Sequence, residues 1–168
     1  MDMLKHAFAT ILLAFAFLGL HAASPVAKIH IFTVDVQYLT AENFKHIAET
    51  ITGDEDMGEA GVVRTDPENR DGMYFVLQLS RYVKHIPQGG QVTVQYTSSS
   101  NPQVTSKTLP LSNLNKNGSY LYVGITGPDW PNPDASITAW KVTLQDSDGN
   151  PIAEKKSFTW NQPKSTDS

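Results

Sequence analysis

The chain has 168 residues, a net charge of −4 and no cysteine. That length suits one domain, and the mild acidity argues against nucleic acid or an anionic membrane surface as partner. Lack of thiols excludes a disulfide framework, thiolate metal sites and thiol catalysis.

Lys5 and His6 make a short basic start, Ala7 to Leu20 is apolar or small apart from Thr10, and His21, Ala22 and Ala23 follow. This order predicts a secretory signal peptide over residues 1–23, cut after Ala22 or Ala23. The apolar run is shorter than the about 20 residues that a membrane-spanning helix takes. A lipoprotein leader needs a Cys at the cut, and the chain has none. A pilin-type leader would be cut between Ala7 and Phe8 and would carry a Glu five residues on, where Leu12 stands. Conventional cleavage is therefore expected. It leaves a mature chain without a membrane span in the periplasm, outer membrane or cell surface. Removing 1–23 takes out one Asp and one Lys, so the charge stays at −4. The remaining roughly 145 residues bury about two-thirds of their extended surface, enough for a core without crosslinks.

From Lys28 to Tyr38 the residues alternate. His30, Phe32, Val34, Val36 and Tyr38 share one predicted face of a long first strand, at an edge or switching between sheets. Thr40 to Thr52 changes period: Phe44, Ile47, Ala48 and Ile51 fall on one helical face. Thr40 is the expected N-cap, Leu39 and Phe44 a hydrophobic staple, and Gly53 the stop. This predicts one short helix over an open end of the domain. Residues 53–72 form a long polar connection, with Val62 and Val63 as a candidate short strand.

Six further strands are predicted: Met73–Ser80, Gln91–Thr97, Val104–Leu111, Ser119–Thr126, Ala135–Gln145 and Ile152–Trp160. Turn chemistry separates them, including Asn117-Gly118 as a hairpin dipeptide and Asp146 to Pro151 as a turn. The fold expected is all-β, a seven-stranded immunoglobulin or fibronectin III-like sandwich over residues 24–160 with one short helix after the first strand. Residues 161–168 are a polar C-terminal tail.

Candidates for chemistry are few. The acidic stretch Asp54, Glu55, Asp56 and Glu59 lacks the oxygen spacing of a calcium loop. Asp146 to Asn150 looks calcium-like, but a hairpin turn explains each residue in it. After leader removal, His30, His46 and His85 stand apart, none at a ligand offset such as His-x-x-x-His. No nucleophile elbow, phosphate loop or dinucleotide fingerprint is present. No catalytic residue, metal ligand or cofactor is expected. The aromatics carry more. Tyr120 and Tyr122 share one face of a strand, and Trp130 sits in GPDWPNPD, a loop stiffened by Pro128, Pro131 and Pro133. Exposed, Trp130 stacks on a sugar or fills a partner's pocket; folded back, it plugs the end of the sandwich. Trp140 and Trp160 read as core.

The segments YFVLQLS, GGQVTVQY, SYLYVGITGPDWP, AWKVTLQD and KSFTW, together with the leader, resemble a family of small exported immunoglobulin-like proteins encoded among type IV pilus genes in Akkermansia-type bacteria. The resemblance implies an immunoglobulin-like fold similar to archaeal pilin head domains, an outer-membrane or pilus association, and no enzyme activity. The leader departs from the pilin pattern, so it implies an accessory role and not the polymerising subunit. The expected function is non-catalytic: pilus or outer-membrane assembly or adhesion through protein partners of the envelope, with self-association through edge strands. The alternative is a carbohydrate-binding module using Trp130, Tyr120 and Tyr122.

Overall fold

A computed structural model of the chain describes residues 28–44, 58–112 and 114–160. Among these are eight strands, not seven: β1 (Ile31–Leu39), β2 (Gly61–Arg64), β3 (Gly72–Leu79), β4 (Gln91–Ser98), β5 (Thr105–Pro110), β6 (Tyr120–Thr126), β7 (Ile137–Gln145) and β8 (Pro151–Lys156). They form two four-stranded sheets, ordered β1-β3-β6-β2 and β5-β4-β7-β8. Every pairing is antiparallel except β2 with β6. One core joins both sheets, with Phe75, Leu77 and Val123 from the first against Val94, Val142 and Leu144 from the second. The chain is thus an all-β sandwich, built because alternate residues of each strand are apolar and must be covered.

The extra strand is β2, the Val62–Val63 segment of the long polar connection. It lies at the far edge of the first sheet from β1, in parallel register with β6. Four residues carry too little pattern to announce a parallel neighbour.

The first strand corrects its own face assignment. The β1–β3 register shifts between Ile31 and Thr33. That irregularity inverts the parity of everything before it. Ile29 and Ile31 are buried, while His30 and Phe32 face out and Val34, Val36 and Tyr38 still pack on the core.

After β1 a short 3₁₀ turn, Ala41–Phe44, stands where the helix was predicted to begin; residues 45–52, the rest of that helix, lie outside the described residues. Thr40 does not cap as expected. Its hydroxyl and its amide both bond to the Asn43 side-chain oxygen, and Asp71 accepts from the Ala41 amide instead. Leu39 and Phe44 do share one cluster, as the staple requires.

Two further expectations are revised. Asn117-Gly118 makes no hairpin, because β5 and β6 belong to different sheets. Gly118 is needed for another reason: a Cβ there would lie 2.3 Å from the Glu59 carbonyl oxygen. The last strand ends at Lys156, short of Trp160; residues 158–159 form a turn that leaves Phe158 fully exposed. The leader expected over 1–23 and the tail expected over 161–168 lie outside the described residues.

Candidate binding surfaces

Trp130 is not an exposed platform. A 3₁₀ turn at Gly127–Asp129 folds the loop back, closed by a Trp130 N–H to Gly127 carbonyl bond of 3.0 Å. The indole is 7% exposed and joins the main core, its ring centroid 5.9 Å from that of Tyr96. It plugs one end of the sandwich. Its Nε1–H is buried with no hydrogen-bond partner, the one such side-chain atom among the described residues.

Tyr120 and Tyr122 do share one face of β6, the outer one, but their surroundings differ. Tyr120 is 46% exposed, whereas Tyr122 is half-buried against Phe44, with ring centroids 6.1 Å apart. Tyr120 opens β6 and Trp130 follows its other end. Six strand steps at about 3.3 Å put about 20 Å between those ends. The three aromatics chosen from the sequence therefore do not make one site. Trp140 and Trp160 pack as expected. Trp140 meets Phe75 edge-on at 6.3 Å, and Trp160 is 9% exposed, with the Lys141 ammonium 6.0 Å from its ring centre.

Beside Trp130 lies a cavity of about 270 Å³, bounded among others by Tyr96, Asn101, Thr105, Lys107, Asp129 and Trp130. Lys107 belongs to the edge strand β5 and alternates with Thr105 and Leu109 on its inner face. It donates to Asp129 at 2.6 Å, and each side chain of this ion pair is about one-third exposed (32%/32%). The bond from Lys107 holds the Asp129 carboxyl below its ordinary pKa, helped by the Thr65 hydroxyl and opposed by partial burial. Burial raises the Tyr96 phenol, and the Asp129 charge adds to it. Alternation alone put Lys107 on the inward face, so this much was readable in the sequence; its partner Asp129 was not.

At the other end of β4 a larger cavity of about 540 Å³ is lined by Lys84, Ile86, Gln88, Leu111 and Leu114. Its lining contains no aromatic ring and no carboxylate, so it offers less to an oriented ligand.

The other surface of interest is the flank where β1 and β8 form the open edges of their sheets. Lys155 of β8 donates to the Phe32 carbonyl of β1 at 2.7 Å. Phe32 itself is 55% exposed.

The acidic turn after β7 is a hairpin turn, as expected. The Asp146 carboxylate accepts from the Asp148 and Asn150 amides at 3.0 and 2.8 Å and from the Asn150 side chain at 3.1 Å. Those bonds lower its pKa and occupy its oxygens. Among the described residues, no three of His, Cys, Asp and Glu gather as metal ligands. No helix among them is long and apolar enough to cross a membrane. No family model matches the chain, and no curated protein and no solved structure does either.

Proposed function

We propose that this chain is an exported, non-catalytic protein of immunoglobulin-like connectivity that binds a protein partner of the cell envelope, in pilus or outer-membrane assembly or adhesion. Strand order supports the connectivity. Leaving β2 aside and numbering the other seven in order, the sheets run first-second-fifth and fourth-third-sixth-seventh. The immunoglobulin frame contains the same first-second-fifth and third-sixth-seventh sets, with its fourth strand beside the fifth instead. The leader motif supports export, and the resemblance of the strand segments supports the envelope setting.

The observation that carries the binding half is the β1 edge. At nine residues it is the longest edge strand of the sandwich. An unpaired edge offers backbone donors and acceptors to an added strand. Its beginning is guarded by the register shift near Phe32 and by Lys155 on the Phe32 carbonyl. Both devices discourage indiscriminate pairing. They confine strand addition to Thr33–Leu39, a length that fits one defined partner strand better than open-ended aggregation.

The test is an affinity pull-down from envelope extract with residues 24–168, read by mass spectrometry. Recovery of envelope or pilus proteins that is lost with Asp35→Lys plus Gln37→Lys, two β1 changes, supports the reading. Recovery unchanged by that pair moves the surface away from β1. Recovery of no protein overturns the reading.

A further inference from the structure

We infer that the cavity beside Trp130 is a binding site for a single neutral sugar ring, such as the terminal monosaccharide of a glycan. Its size argues for one ring. At about 270 Å³ it falls just below the roughly 300–1,000 Å³ of pockets that take drug-sized ligands. Its chemistry argues for a sugar. Tyr96 and Trp130 are largely buried but border the cavity, and they give it an apolar inner wall for C–H groups of a pyranose. Around that wall stand groups that orient hydroxyls: the Asn101 carboxamide, the Thr105 hydroxyl and the Lys107–Asp129 pair.

The charge balance excludes the main rivals. One ammonium and one carboxylate at 2.6 Å largely cancel. A phosphate needs an excess of donors with positive charge, and a cation needs several oxygens of negative charge. A polyhydroxylated ring needs donors and acceptors in mixture, and this pair supplies both. An ammonium has three donors, and among the described residues Asp129 is the one acceptor found for Lys107. The site lies by β5, on an edge of the other sheet from β1. The protein-binding reading and this one therefore stand or fall separately.

Saturation-transfer NMR and tryptophan fluorescence with the mature chain provide the test. The ligands are the methyl glycosides of glucose, galactose, mannose, fucose and N-acetylglucosamine, with inorganic phosphate and N-acetylneuraminic acid as charged controls. The expected result is saturable transfer to at least one neutral glycoside. Its affinity should fall about tenfold in Asp129→Asn, which trades a charged acceptor oxygen for an amide donor, and in Asn101→Ala, which removes the carboxamide. Asn101 is exposed in the β4–β5 loop, so its variant keeps the fold, and circular dichroism checks this. Three results would overturn the inference: no transfer to any neutral glycoside at about 20 mM, a concentration that detects even millimolar binding; affinity unchanged in both variants; or tighter binding of a charged control.

Discussion

The outer faces of the two sheets are built on different principles. On the sheet of β4 and β7 the outer face is a polar ladder. Thr93 bonds to Thr108 at 2.9 Å and to Gln145 at 2.8 Å, and Thr97 bonds to Thr138 at 2.8 Å. On the sheet of β3 and β6 the outer face carries a second apolar cluster of Phe44, Tyr74 and Val76, flanked by Leu39, Val62 and Tyr122. Phe44 sits 4.9 Å from the Tyr74 ring, and the Arg64 guanidinium lies 5.1 Å over Phe44. Tyr74 is fully buried, its hydroxyl accepting from Arg64 Nε at 2.7 Å and donating to the Arg70 carbonyl at 2.8 Å. The difference is visible in the strands themselves. QVTVQYTS of β4 alternates, whereas GMYFVLQL of β3 is a nearly continuous apolar run. Alternation marks a face left to water, and a continuous run marks a strand covered on both sides.

That contrast predicts a ranking of stability effects. The largest is Tyr74→Ala, which removes a fully buried ring together with both hydroxyl bonds. It is expected to destabilise by about 3–5 kcal/mol, seen as a fall in Tm of more than about 8 °C. Gly124→Ala comes next. A Cβ there would meet the Tyr74 ring at 2.6 Å, and that ring is pinned by its two hydrogen bonds. Denaturant titration should show a loss of about 1–3 kcal/mol. Thr93→Val on the polar face keeps the β-branched shape and loses only solvent-side hydrogen bonds. Its effect should stay within about 1 kcal/mol. If calorimetry showed Thr93→Val as damaging as Tyr74→Ala, the distinction between the two faces would collapse.

The smallest effect belongs to the ion pair at the margin of the polar sheet. Asp129 has a folded-state pKa below its ordinary value of 3.8. A depressed carboxyl contributes stability that is present above the unfolded value and lost as pH falls through the folded one. The wild type should therefore lose part of its stability on acidification below about pH 4. In Asp129→Asn that part of the loss should be absent when the two are compared by urea unfolding. The pair is one-third exposed (32%/32%), so water and salt screen the difference.

Much of the fold was legible because strand formation leaves a local mark. All seven strands expected from alternation and turn residues are present, and Val62–Val63 supplied the eighth. The candidate site was less legible. The proline-stiffened loop around Trp130 pointed to the right end of the molecule, yet said nothing of which way the indole turns. That choice was made by Tyr96, thirty-four residues earlier, whose ring offers a buried partner. Lys107 was marked by its inward parity on β5, while Asp129 became its partner only when β5 and the β6–β7 loop met in space.

The sequence by itself determined an all-β chain, its strand positions, and which strands are covered on one side or on two. Period and composition set these within a few residues, so no distant contact is needed to read them. Only the tertiary structure decided the register shift that turns Ile29 and Ile31 inward and Phe32 outward. It also decided the parallel seat of β2 beside β6 and the Glu59 carbonyl that makes Gly118 necessary. Each depends on atoms brought together from far along the chain, and pairing between distant segments leaves no periodic trace in either one.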